Sequence, residues 1–80
     1  MADKHILREW VLEALEELNG RGTVVEVSQV VWRRHESDLR AAGNLFYTWQ
    51  YDIRWAAQQL RNEGLLRKTA PRSREPWSLP

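Results

Sequence analysis

The sequence predicts one mainly α-helical domain that ends in a small β-hairpin. Three observations lead to this fold class. Apolar side chains recur at helical spacing in three stretches, glycines or polar residues separate those stretches, and residues 65–79 carry two short strand patterns around a loop with prolines. Eighty residues with 42% hydrophobic and 29% charged side chains suit a single small globular domain.

Helix 1 is predicted over about residues 4–19. Its apolar stripe follows a plausible N-terminal cap at Asp3, and Gly20 ends it. The stripe comprises Ile6, Leu7, Trp10, Val11, Ala14, Leu15 and Leu18. The outer face is acidic, and because nothing local opposes its charge we interpret it as a solvated face. Its acids are Glu9, Glu13, Glu16 and Glu17.

Helix 2 is predicted over about residues 24–35. Thr23 and Glu26 fit a capping box, in which each side chain accepts a hydrogen bond from the other residue's backbone N–H. The core stripe then consists of Val27, Val30 and Val31. The β-branched residues between Thr23 and Val27 leave a β-strand open as the alternative, although we favour the helix.

Helix 3 is predicted over about residues 47–63, with Gly64 as its C-terminal cap. A polar connection of residues 36–48 precedes it, with a possible helical turn at 37–42, and this link is longer than a tight helix-turn-helix connection. The core stripe of helix 3 is Trp49, Ile53, Ala56, Ala57 and Leu60. Its far face carries Tyr51, Arg54, Gln58, Arg61 and Asn62.

A two-stranded wing is predicted over about residues 65–79. Residues 65–69 and 77–79 are the strand candidates, and we expect them to pair with each other. The loop between them contains Pro71 and Pro76, which are unsuited to a central strand. Three helices followed by such a wing predict a winged helix-turn-helix.

Charge is distributed unevenly along the chain, although the net charge is only +1. Residues 1–40 carry six basic and eight acidic residues, a net charge of −2, whereas residues 41–80 carry six and three, a net charge of +3. The basic residues between positions 61 and 74 are Arg61, Arg67, Lys68, Arg72 and Arg74. Because Glu63 is the one acid in that stretch, the carboxyl-terminal half can attract phosphate.

The spacing of Arg54, Gln58 and Arg61 places their side chains along one exposed ridge of helix 3. Arginine can make a bidentate contact to guanine and glutamine one to adenine, while Tyr51 or Asn62 could fix the register through phosphates. The alternative is that arginine and glutamine stand here as good exposed helix formers.

The wing is the second candidate DNA contact. Its basic residues Arg67, Lys68, Arg72 and Arg74 could bind phosphates or enter a minor groove. The alternatives are a solubilising loop or a flexible tail. Four phosphate contacts would make affinity vary as about the −3.6 power of salt concentration.

The five tryptophans are expected mainly in the core rather than as base-stacking platforms. Trp10 and Trp49 lie on apolar stripes, and Trp77 is expected on the inner face of the hairpin. Trp55 is expected to support the wing, and the place of Trp32 is left open.

Catalytic and metal sites are not expected. The chain has no cysteine, its His5 and His35 stand far apart, and no serine lies in a nucleophile motif. We therefore expect no enzyme activity, no cofactor and no small-molecule substrate. Because no apolar run approaches the about 20 residues of a membrane helix, we also expect no membrane contact and a cytoplasmic, nucleoid-associated location.

The stretch from Trp49 to Leu66, together with Trp77-Ser78-Leu79, resembles the amino-terminal winged-helix domain of Mrr-type restriction proteins. The matching positions are Ile53, Trp55, Ala56, Leu60, Gly64, Leu65, Leu66, Trp77 and Leu79, with Thr23, Glu26 and Val27 at the start of the second helix. Mrr-type enzymes cut DNA with a separate nuclease domain, for which eighty residues leave no room. The resemblance implies a DNA-reading module without the nuclease.

These observations lead to one hypothesis and one competitor. The hypothesis is a duplex DNA-binding domain with helix 3 in the major groove and the wing on the backbone or minor groove. It would act in transcription regulation or in targeting a restriction or other DNA-processing system, as a homodimer or as part of a larger parent protein. The competitor is a winged-helix protein-protein interaction module that contacts a partner through the acidic helix 1.

Overall fold

Three helices and a two-stranded antiparallel sheet form the fold in the computed structural model, which describes residues 3–69 and 75–80. The elements are α1 (Ile6–Glu17), β1 (Arg21–Gly22), α2 (Val24–Arg40), α3 (Leu45–Asn62) and β2 (Trp77–Ser78). The mainly helical class with a small β element is confirmed, and the arrangement is compatible with a winged helix. Within the described residues, no helix is both long and apolar enough to cross a membrane.

Helix α1 is shorter than predicted at both ends. Its N-cap residue is His5. The Asp3 carboxylate, two residues earlier, accepts a hydrogen bond from the His5 N–H at 2.9 Å. At the other end Asn19 and Gly20 take positive φ values of 64° and 96°, and the Gly20 N–H donates to the Leu15 carbonyl at 2.6 Å. This left-handed pair ends the helix and turns the chain into β1.

The capping box predicted at the start of α2 is confirmed. The Glu26 N–H donates to Thr23 Oγ1 at 3.1 Å, and the Thr23 N–H donates to Glu26 Oε1 at 2.9 Å. The alternative of a β-strand between Thr23 and Val27 is wrong. Two backbone donors that a helix would otherwise leave unpaired are satisfied at this point, and Val27 is fully buried on the core side.

Helix α2 continues to Arg40, beyond its predicted end at residue 35. The chain kinks where that end was expected, since His35 has a non-helical φ of −128° and ψ of 20°. Beyond the kink Leu39 has no exposed surface, and this burial holds the second part of the helix against the core. The connection to α3 is therefore residues 41–44, and the prediction of a long link is wrong.

Helix α3 ends in the glycine cap that the sequence predicts. Gly64 has a φ of 77°, its N–H donates to the Arg61 carbonyl at 3.1 Å, and the Leu65 N–H donates to the Leu60 carbonyl at 2.9 Å. These are the two bonds of a Schellman motif. They commit the backbone of Leu65 to the helix end.

The predicted pairing of the wing strands is wrong. Strand β2 pairs with β1, with Arg21 opposite Ser78 and Gly22 opposite Trp77, and residues 65–69 form no strand. Because Leu65 is used by the helix cap, the chain reaches β2 only at Arg67, whose N–H donates to the Ser78 carbonyl at 2.8 Å. Strand β2 thus lies between β1 and the Arg67 segment.

The core lies where the three helices meet the inner face of the sheet. Its largest fully enclosed side chains are Leu7, Leu15, Leu39, Ile53, Leu60, Leu66, Val11, Val27 and Val31. The predicted core positions of Trp10, Trp49 and Trp77 are confirmed, since each is buried. Trp32 is half-buried and stacks on Trp49 with ring centres 6.0 Å apart. All of these rings serve packing.

Trp55 was predicted to support the wing, whereas its ring interactions among the described residues are with the start of α1. Its ring contacts the start of α1, with Lys4 Nζ 4.5 Å and the His5 ring 5.3 Å from the ring centre. The sequence placed Trp55 off the core stripe correctly but could not say which neighbour lies beside it. It fixes the beginning of α1 against α3.

Candidate nucleic-acid interface

The solvent face of α3 is polar, aromatic and free of acidic side chains along one stripe. Its members follow one another at helical spacing: Tyr47, Tyr51, Arg54, Gln58 and Asn62. The two tyrosines are 81% and 78% exposed, which is unusual for large aromatic side chains. Tyr47 was not among the predicted contacts, although its spacing of four from Tyr51 at the start of the predicted helix could have found it.

Arg61 is less exposed than the sequence predicts. Its guanidinium lies 5.9 Å from the centre of the Trp77 ring, and its Nε is buried without a hydrogen-bond partner among the described residues. Burial lowers the pKa of Arg61, although a guanidinium stays charged at neutral pH. Arg61 therefore joins α3 to the sheet instead of projecting freely from the ridge.

Gln58 is held by its neighbours on α3. Its Nε2 donates to Asn62 Oδ1 at 3.1 Å, and its Oε1 accepts a longer hydrogen bond of 3.4 Å from Arg61 Nη1. These bonds fix which end of the amide faces each neighbour. Arg61 and Asn62 thus orient the Gln58 amide. Gln58 is exposed and lies in the central part of the helix face.

Arg54 is exposed and forms no ion pair or hydrogen bond with any residue in the part of the chain that the structure describes. It lies at the edge of a groove of about 520 Å³ between α2 and α3. The groove is lined by Val24, Val25, Ser28, Gln29, Trp32, Phe46, Trp49, Gln50 and Arg54. Arg54 is thus flanked by glutamine amides, which can also hydrogen-bond to base edges.

The basic residues after α3 meet a further arginine that the sequence did not single out. Arg67 and Lys68 are exposed and line a shallow concavity of about 590 Å³ beside the sheet, together with Arg21 of β1. Arg21 stands alone in the sequence, and only its pairing with Ser78 brings it next to the Arg67 segment. The predicted contacts Arg72 and Arg74 lie outside the described residues.

Ion pairs divide the cations into two groups. Every arginine of α1 and α2 is paired: Arg8 with Glu63, Arg33 with Glu17, Arg34 with Glu13 and Glu17, and Arg40 with Glu36. In residues 3–69 and 75–80, by contrast, no carboxylate pairs with the cations of β1, α3 or the segment after it, which are Arg21, Arg54, Arg61, Arg67 and Lys68. Among the described residues, cations without an ion pair therefore lie on α3 and the sheet, and at Lys4, whose Nζ lies over the Trp55 ring.

Arginines of α2 pair with part of the acidic face of α1, a tertiary contact that the sequence did not predict. Arg34 lies 3.3 Å from Glu13 and 3.0 Å from Glu17, and Arg33 also pairs with Glu17. The Arg33 hydrogen bond is the main reason why the pKa of Glu17 lies below its ordinary value. These contacts join α1 to α2 and reduce the negative charge that this face could present to a partner.

The two histidines take part in packing. His35 stacks on Trp10 with ring centres 4.0 Å apart, and its Nε2 lies 2.6 Å from Glu13 Oε1. His5 meets the edge of Trp55. Across the described ranges, no group of three or more His, Cys, Asp or Glu side chains is placed to hold a metal ion.

Comparisons of this chain with protein-family models, with curated proteins and with solved structures find no match. The function is therefore inferred from the geometry of the α3 face and of the sheet.

Proposed function

We propose that this chain is a duplex DNA-binding domain of the winged helix-turn-helix type. The observation that carries the proposal is the division of the cations. Arginines of α1 and α2 are neutralised by acids within the fold, while in residues 3–69 and 75–80 no carboxylate pairs with Arg54 or its basic neighbours on α3 and the sheet. A surface of this kind attracts a polyanion, and phosphate contacts dominate the affinity of proteins for DNA.

The element order supports the winged-helix assignment. One helix, a short strand, two helices and a returning strand follow each other along the chain, and the returning strand lies between β1 and Arg67. The link between α2 and α3 is four residues, 41–44, within the range of helix-turn-helix turns. The resemblance to the amino-terminal domain of Mrr-type restriction proteins fits the same assignment.

In the proposed complex α3 lies in the major groove. Arg54 and Gln58 contact base edges, because both are exposed on the central part of the helix face and arginine and glutamine match guanine and adenine in the groove. The exposed Tyr51 and Asn62 contact flanking phosphates and set the register. Arg61 acts chiefly by orienting Gln58.

The proposed activity of the domain is DNA binding, without a catalytic step of its own. A single copy offers a small interface, so tight recognition needs a second copy or a larger parent protein. Its role is that of a regulator or of the targeting module of a DNA-processing system.

A matched pair of variants tests the proposal. Arg54→Gln and Arg33→Gln remove the same charge, but Arg54 is unpaired on α3 whereas Arg33 is ion-paired to Glu17. We expect Arg54→Gln to weaken binding to a mixed pool of 20-base-pair duplexes by about fivefold or more, the lower end of about 1–3 kcal/mol for one arginine–base contact.

Fluorescence anisotropy at 50 mM salt measures the affinity, and circular dichroism verifies that both variants keep the helical fold. Equal affinity of the two variants would exclude the α3 ridge as the contact. Absence of wild-type binding at this salt concentration would overturn the proposal and leave the protein-interaction module in its place.

A further inference from the structure

We infer that the outer face of the small sheet is a phosphate-binding site, with Arg21 as its decisive residue and a backbone phosphate of duplex DNA as its ligand. This inference rests on the proposed function and adds Arg21 to Arg67 and Lys68, which the sequence already predicts as phosphate contacts. It separates a phosphate clamp on the sheet from the base contacts of α3.

The strand register brings two arginines next to Ser78. Arg21 lies opposite Ser78, and Arg67 donates its N–H to the Ser78 carbonyl, so Arg21, Ser78 and Arg67 form one row across the sheet. Directly opposed residues, here Arg21 and Ser78, project from the same face of the sheet, and Arg67 lines the concavity beside them. Gly22 and Trp77, their neighbours, are buried on the other face.

Arg21 and Arg67 lie on either side of Ser78. Strand β2 lies about 4.8 Å from β1, and the Arg67 N–H donates to the Ser78 carbonyl at 2.8 Å, so Ser78 stands between the two arginines. Two guanidinium groups can converge from these positions on a single phosphodiester above the Ser78 hydroxyl. The concavity of about 590 Å³ found here is lined by all three residues and by Lys68.

The chemistry of the lining selects phosphate. Arginine presents a planar fork that matches phosphate oxygens, lysine adds a point charge, and serine supplies a hydroxyl donor. Glu75 is the one acidic side chain among the lining residues, so three cations leave a local excess of positive charge. Within the described residues, none of the three cations pairs with a carboxylate of the fold.

The site lies on the outer face of a sheet whose inner face contacts α3. Trp77, the residue before Ser78, lies under the Arg61 guanidinium, so the sheet stands beside the C-terminal end of α3. A duplex that follows α3 in the major groove continues past this end, where its backbone meets the row of Arg21, Ser78 and Arg67.

The experiment measures how binding depends on salt for Arg21→Gln, Arg21→Lys and Arg33→Gln. Each phosphate contact adds about 0.9 to the slope of log affinity against log salt concentration. We therefore expect Arg21→Gln to make the loss of affinity between 50 and 200 mM salt about 3.5-fold smaller than in the wild type. Arg21→Lys keeps the charge and should keep the slope, and Arg33→Gln, which removes the same charge elsewhere, should also keep it.

The outcomes separate the two proposals. If the wild type binds DNA and Arg54→Gln weakens binding while Arg21→Gln matches Arg33→Gln in slope, the phosphate site is wrong and the proposed function stands. If the wild type does not bind duplex DNA at 50 mM salt, both are wrong. A slope reduced in Arg21→Gln alone supports the clamp.

Discussion

Replacement of Arg61 tests how α3 is joined to the sheet. The side chain is half-buried, and its guanidinium lies 5.9 Å from the centre of the Trp77 ring. The same burial leaves Nε without a hydrogen-bond partner among the residues that the structure describes. Packing and desolvation therefore act in opposite directions at this position, and two substitutions separate them.

Arg61→Ala removes the apolar stem, the cation–π contact and the buried unpaired donor together. Loss of two buried methylene groups costs about 1.6 kcal/mol at about 0.8 kcal/mol each. Loss of the cation–π contact adds about 0.5–1 kcal/mol. Because Arg61→Ala also removes the buried unpaired Nε, as Arg61→Met does, we expect its free energy of unfolding to lie about 1.6 kcal/mol below that of Arg61→Met, against a total of about 4–12 kcal/mol for a domain of this size.

Arg61→Met keeps an apolar stem of similar length. It loses the cation–π contact but also removes a buried unpaired donor, whose burial costs about 1–3 kcal/mol. We expect the free energy of unfolding to stay within about 1 kcal/mol of the wild type or to exceed it.

Urea denaturation followed by tryptophan fluorescence measures both variants. If Arg61→Met is as unstable as Arg61→Ala, the charged group and not the stem holds α3 to the sheet, and the reasoning is refuted. Unchanged stability of both variants would show that Arg61 does not join the two elements at all.

Two further predictions concern the capping box and the α1–α2 ion pairs. Thr23→Ala should lower the free energy of unfolding by about 1 kcal/mol while Thr23→Ser retains it, as measured by urea denaturation, and equal loss in both would contradict a role for the hydroxyl. Because Arg33 lowers the pKa of Glu17 from its ordinary 4.5, this carboxylate stabilises the fold above that pH, and the stabilisation is lost as the pH falls through the lowered pKa. The melting temperature should therefore decline more steeply below pH 4.5 in the wild type than in Glu17→Gln, and parallel curves would count against the ion pair.

Local signals predicted the helices well. The Thr23–Glu26 capping box and the glycine cap at Gly64 involve residues a few positions apart, so their geometry follows directly from the sequence. The end of α2 was harder. Its continuation past His35 depends on burial of Leu39, which is a property of the assembled core and has no local signature.

Local sequence patterns could not predict the strand pairing or the ion pairs between α1 and α2. Strand β1 has two residues, and its partner Ser78 lies far from Arg21 along the chain, so no periodicity marks it. The neutralisation of Glu13 and Glu17 by arginines of α2 is likewise a tertiary contact. Arg21 was missed as a candidate contact for the same reason, while the exposed Arg54 and Gln58 were predicted from helical spacing alone.

Two consecutive residues of β2 serve different halves of the proposed interface. Trp77 supports Arg61 at the end of α3, while Ser78 sits in the arginine row on the opposite face. A shift of β2 would displace Trp77 and Ser78 together, because the two residues are consecutive and alternate between the faces of the sheet. The contacts of α3 and of the arginine row are therefore thermodynamically linked. Binding energies lost by substitutions in the two halves should then be non-additive.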